Sequence, residues 1–187
     1  MNHVLEAIAA RNSCRDFADT QLSEEQIKAI TDAALAAPSA MNRQPWHVVV
    51  VNNKAIVDEM NDEGMSILAA AEDKASYERM MARGGKLFYN APCLMIVLND
   101  GSGYAALDSG ILTQNITLAA HSLGLSTCVV GMAGVPLSGP RGEEFKTRLK
   151  FPDGYKFIIG VLVGVPNSGK EPHELDASKI TYIGLDA

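Results

Sequence analysis

Nine residues, Pro38-Ser39-Ala40-Met41-Asn42-Arg43-Gln44-Pro45-Trp46, separate an alanine-rich helical pattern from the apolar run Val48-Val49-Val50-Val51. Pro38 and Pro45 can neither continue a helix nor join the interior of a strand ladder, so the stretch between them is loop. It carries Ser39, Asn42 and Gln44, each able to donate and accept hydrogen bonds, with the large aromatic Trp46 at its exit. That inventory suits the gripping of a flat heteroaromatic ligand. It also fixes a helix–loop–strand unit to which the rest of the chain must be fitted.

The chain has 187 residues, 47% of them hydrophobic, enough for a full core, and one domain over residues 1–187 is expected. A net charge of −6 gives no long-range attraction to nucleic acid or to an anionic membrane. An anionic ligand must therefore be held by local cations. Cys14, Cys93 and Cys128 are too widely spaced for a zinc site and odd in number for a disulfide framework. With no basic-then-apolar leader and no apolar run of membrane-spanning length, a reducing cytoplasm is the expected setting.

Periodicity gives the elements. Val4, Leu5 and Ile8 mark a short helix over 2–10. Ser23 and Gln26 form a capping-box signature for a helix that runs to about Ala37 and buries Ile27, Ile30, Ala34 and Leu35. Val48 to Val51 reads as a strand buried on both faces, with His47 at its start. Residues 54–82 make one or two helices, and Cys93 to Leu98 a strand. Tyr104 to Leu123 is a long helix apolar on more than one side, so it packs against more than one partner; Gly124 ends it. Short strands follow at Ser126 to Val130 and Tyr155 to Val165, with a charged helix from Glu143 to Lys150 between them. Gln114 and Asn115 read as ligand contacts or, preferably, as satisfied core amides.

Arg11, Ser13 and Arg15 alternate, so in an extended segment all three project to one side, where two guanidinium forks and a hydroxyl can surround a phosphate. The same residues also read as a solvated cationic loop. In Gly131-Met132-Ala133-Gly134 the small side chains let backbone approach a ligand, or simply make a strand-to-helix turn before Pro136. Gly164 to Lys170 nearly spells a phosphate loop, but Glu171 replaces the hydroxyl residue and Pro172 removes the helix that should follow. No protein nucleophile, acid–base pair or metal-ligand spacing emerges among Ser39 and the four histidines.

Three segments in register resemble the FMN-dependent nitroreductase family. Pro38 to Trp46 resembles its active-site loop, Arg11-Asn12-Ser13-Cys14-Arg15-Asp16-Phe17 its phosphate and ribityl segment, and Asp108-Ser109-Gly110 through Gln114-Asn115 to Leu123-Gly124-Leu125 its central helix. The resemblance implies an α+β sandwich with a mixed central sheet of four to five strands flanked by helices. It implies bound FMN, NADH or NADPH as electron donor, and ping-pong hydride transfer through flavin N5 to nitroaromatic or quinone-type acceptors. It also implies a homodimer with FMN at the subunit interface and no nucleic-acid or membrane partner. Arg11, Asn12, Ser13, Arg15, Gly131, Met132 and Lys170 would come from one subunit, and Pro38, Ser39, Ala40, Asn42 and Gln44 from the other. Lys86 falls near the position of a lysine beside the flavin pyrimidine edge, or is simply solvated. Two other readings stay open: a flavin-binding module without turnover, and a flavoenzyme of the same fold with another reaction, dehalogenation or flavin fragmentation.

Overall fold

A computed structural model describes residues 2–169, 171–172 and 174–184. Its elements are helices α1 (His3–Ala10), α2 (Glu24–Leu35), α3 (Lys54–Ala70), α4 (Ala75–Met81), α5 (Ala105–Ser122), α6 (Gly134–Ser138) and α7 (Gly142–Arg148). The strands are β1 (Trp46–Val51), β2 (Cys93–Asn99), β3 (Ser126–Val130) and β4 (Lys156–Gly164). The strands form a single sheet in the order β1-β2-β4-β3. Every neighbouring pair is antiparallel, with Trp46 opposite Asn99, Asn99 opposite Lys156, and Val130 opposite Gly160. The α+β sandwich holds, but the expected mixed sheet does not. Parallel pairing among the described residues is confined to the bridge between Ser13 and Thr127, because the 11–15 segment docks on β3 without becoming a strand.

The alternation of side chains on β2 and β4 builds two cores. Leu94, Ile96, Leu98 and Leu162 face α3, α4, α6 and α7, joined by Phe17, Phe88 and Phe145. Cys93, Met95, Val97, Val161 and Val163 face α2 and α5, joined by Trp46, Ile30, Leu112 and Ile116. β2 is buried at every position. β1 is only half-buried along its middle, contrary to expectation, because it is an edge strand with no neighbour on one side.

Local signals act as read. The Ser23 hydroxyl accepts the Gln26 N–H while Gln26 accepts the Ser23 N–H, closing the capping box. Gly124, at φ +74°, lets the chain leave α5 in the left-handed conformation. Residues 54–82 divide into α3 and α4. Asn115 is a satisfied amide, its Nδ2 donating to Ala33 O at 2.9 Å. Gln114 is instead exposed, and accepts from the Thr117 hydroxyl. Leu35 is exposed too, as are Val4, Leu5 and Ile8 of α1. Among the described residues none buries that face of α1.

Candidate functional site

Two groups of residues emerge at opposite edges of the sheet. The first lies at the β3 edge. Arg11 caps α1, and the chain then crosses the end of the sheet: Cys14 N–H donates to Thr127 O, Ala18 N–H to Val165 O, and Asn167 N–H to Asp16 O. Ser13 and Arg15 thereby meet Ser168 and Gly169 around a cavity of about 270 Å³. Lys170, the other cation expected here, lies outside the described residues. Asn12 is anchored, its Nδ2 donating to Ala10 O at 3.3 Å.

Arg11 supplies the test of whether this group fits a phosphate. Its Nε is buried and has no hydrogen-bond partner. A buried guanidinium N–H costs free energy until an acceptor reaches it, and a phosphate oxygen is the acceptor its fork geometry matches. Arg11 does not itself line that cavity, where Arg15 is exposed beside Ser13; the chemistry of the three donors, two guanidinium groups and a hydroxyl, suits a phosphate monoester. Four residues further along β3, about 13 Å at strand rise, the strand ends in a tight 3-10 turn, Gly131–Ala133. The turn can lie against β4 because residue 160 is glycine; a Cβ there would sit 2.6 Å from Ala133 Cβ.

The second group is the 38–46 loop, which leads into β1 at the other edge. The backbone is left-handed at Met41, Asn42 and Gln44, conformations that cost free energy for any residue with a Cβ. Hydrogen bonds hold it there. Ser39 Oγ accepts the Gln44 N–H at 2.9 Å, and Gln44 Nε2 donates to Asn42 Oδ1 at 3.0 Å. The loop's polar side chains thus brace one another, which the sequence did not reveal. Ala40 N–H donates to the carboxylate of Asp108 on α5, and Pro45 O accepts from Asp100 N–H at the end of β2. Pro38, Ser39 and Ala40, with Tyr104, Leu107, Asp108 and Ile111, line a hollow of about 300 Å³.

Lys86 belongs to neither group directly. Its Nζ donates to Asn90 Oδ1 at 2.7 Å, in the segment that also gives Tyr89 O to the Phe17 N–H. A larger hollow of about 500 Å³ between α7 and residues 151–157 is lined by none of the expected site residues. Burial pushes the thiols of Cys14 and Cys93 up, the latter to about 12, so neither is poised as a thiolate nucleophile. Among the described residues no three His, Cys, Asp or Glu side chains gather as metal ligands, and no helix is long and apolar enough to cross a membrane.

The comparisons with known proteins converge on the same residues' family. A nitroreductase with bound FMN from Desulfitobacterium hafniense superposes with a TM-score of 0.93 at 50% identity, over 98% of this chain and 99% of that one. A relative from Methanothermobacter thermautotrophicus is 35% identical over 134 residues, 69% of this chain but only 61% of its own length. The FMN reductase [NAD(P)H] of Bacillus subtilis is 27% identical over 203 residues, covering all of this chain and 77% of that one. The profile of the Nitroreductase family matches residues 8–165, from α1 to the end of β4, a span that holds the 11–15 segment, the 38–46 loop and the Gly131 turn, and the chain belongs to that family.

Proposed function

We propose that this chain is an FMN-dependent NAD(P)H oxidoreductase that works as a homodimer, each site built by two subunits. The observation that carries the shared site is topological. The 11–15 segment and the Gly131 turn lie at the β3 edge, the 38–46 loop leads into the β1 edge, and β2 and β4 stand between them. One copy alone keeps its two ligand-gripping groups apart. A second copy, docked on the exposed apolar faces of α1 and α5, brings one copy's loop to the other's phosphate segment. Val4 and Leu107 on those faces are 63% and 62% exposed.

In this reading Arg11, Ser13 and Arg15 bind the phosphate, with Asn12 positioned beside them and Lys170 as a further cation. Backbone N–H groups of the turn at Gly131 and Met132 face the ring edge, where fixed donors favour added negative charge. Lys86 stands by the pyrimidine side. Pro38, Ser39, Ala40, Asn42 and Gln44 of the other subunit cover the ring and exclude water. When bound, FMN would supply the redox chemistry, hydride transfer from NADH or NADPH and two-electron transfer to an acceptor. The absence of a protein nucleophile is consistent with this division of labour. Nitroaromatics and quinones, planar and electron-poor, are the acceptor class that a strapped, flat site suits, with the two substrates using it in turn. Three buried cysteine thiols suit a reducing cytoplasm.

The test is steady-state NADH and NADPH oxidation by FMN-loaded protein against a nitroaromatic and a quinone. Parallel lines in double-reciprocal plots are expected for a shared, alternating site. Nucleotide oxidation that ignores the added acceptor defeats the proposal and leaves a binding module.

A further inference from the structure

We infer that Asp108 is a positioning residue for the flavin-covering loop, holding the strained 38–46 segment in its working shape from the first turn of α5. The inference rests on the reading that this loop covers FMN, but its physical basis is independent of it. Asp108 is only 4% exposed, and burying a carboxylate is expensive unless donors reach it. Among the described residues the donor that does so is the Ala40 N–H, at 3.3 and 3.2 Å from the two carboxylate oxygens. The charge is favoured by the N-terminal turn of an 18-residue helix, so α5 stabilises the anchor that it presents to the loop.

The next residue, Met41, opens the left-handed stretch that includes Asn42 and Gln44. At the other end Asp100 N–H holds Pro45 O. The strained residues are therefore pinned on both sides, one pin being a side chain that can be changed. Without the carboxylate, Ala40 is released and the left-handed residues can relax to commoner backbone shapes. The ring-facing groups of Asn42 and Gln44 then lose their preset positions. Asp108 itself need not touch flavin or substrate.

Arg43, exposed within the loop, gives a direct probe of its opening. Trypsin cleavage after Arg43 in the full-length dimer should be about tenfold faster in Asp108→Ala and about threefold faster in Asp108→Asn, which keeps one acceptor oxygen. FMN Kd should rise about tenfold in Asp108→Ala, yet by less than about twofold when the same change is made on an Asn42→Ala background, because both act through one loop. Asp108→Asn preserves volume and carries the test if the alanine variant fails to fold. Wild-type cleavage rates in the variants that fold, or equal loss of FMN affinity on both backgrounds, overturn the inference. Wild-type protein that takes up no FMN overturns the cofactor reading and the inference's catalytic meaning together. Normal FMN uptake with unchanged cleavage overturns the pin alone.

Discussion

Phe17 packs against the last residue of β4 so closely that Gly164 has no room for a side chain. A Cβ at Gly164 would stand 3.0 Å from Phe17 Cδ1 and 2.7 Å from Pro92 Cδ. Phe17 is fully buried and bridges Pro166, so it fastens the far end of the Arg11 to Arg15 segment to the sheet.

Gly164→Ala should therefore act on the site as well as on the core. Overpacking of this kind typically costs about 1–3 kcal/mol, and Phe17, one of the two side chains that must give way, follows directly on the segment carrying Ser13 and Arg15. Thermal denaturation should show the loss of stability, and FMN titration a weaker Kd. Wild-type affinity in a destabilised variant would mean that the phosphate segment is fixed by other contacts.

Arg11→Ala should weaken FMN binding while leaving riboflavin binding nearly unchanged, because only FMN carries the phosphate. A charge-assisted hydrogen bond of about 1.5–3 kcal/mol corresponds to roughly a ten- to hundredfold loss in affinity. Fluorescence titrations with the two flavins give the ratio directly. Equal losses for both would remove the phosphate from Arg11.

Glu59 of α3 joins the sheet-covering helices electrostatically. Arg148 of α7 and Arg141, the N-cap before it, donate to Glu59 at 2.9 and 2.5 Å, and these hydrogen bonds hold its carboxyl at about 2 rather than the ordinary 4.5. A depressed folded value means the contribution is fully present above 4.5 and is lost as pH falls toward about 2. The Glu59 side chain is 32% exposed, so solvent screens the effect and it should be modest. Glu59→Gln should flatten the fall of Tm across that acid window. An unchanged slope would assign the acid response to other carboxylates.

In the proposed homodimer, Leu107→Asp should separate the subunits. Leu107 is exposed, lines the same hollow as Pro38 and Ala40, and sits one turn from Ile111. A charge placed in an apolar interface leaves it unpaired and desolvated, typically about 3–5 kcal/mol. Sedimentation should show a shift to monomer, and FMN should be lost with it. A monomer that keeps FMN would contradict a site shared between subunits.

Much of this was legible in the sequence because it is written in local chemistry. The Ser23–Gln26 cap, the Gly124 stop and the proline-bracketed loop each act over a few residues, and each appears where its residues stand. The alternation of Arg11, Ser13 and Arg15 fits the extended segment that is found, though it did not foretell its seat on the β3 edge. What the sequence hid was set by distant neighbours. Val48 to Val51 and Cys93 to Leu98 look alike as apolar runs, and only their places in the sheet, edge and centre, separate half-buried from buried. Likewise, nothing near Asp108 announces that it reaches Ala40, 68 residues earlier in the chain. The signal that was available, a carboxylate in the first turn of an otherwise apolar helix, is shared by ordinary helix starts.

FMN held by Arg11, Ser13, Arg15 and the 38–46 loop is proposed to receive electrons from a nicotinamide nucleotide. The measurement that tests it most directly is the visible absorbance of the FMN-loaded protein, recorded without oxygen before and after addition of NADH and then NADPH. The account predicts a flavin spectrum that bleaches with at least one nucleotide and returns when a nitroaromatic or quinone is added. A protein that stays colourless after incubation with FMN, or a bound flavin that neither nucleotide bleaches, would contradict it.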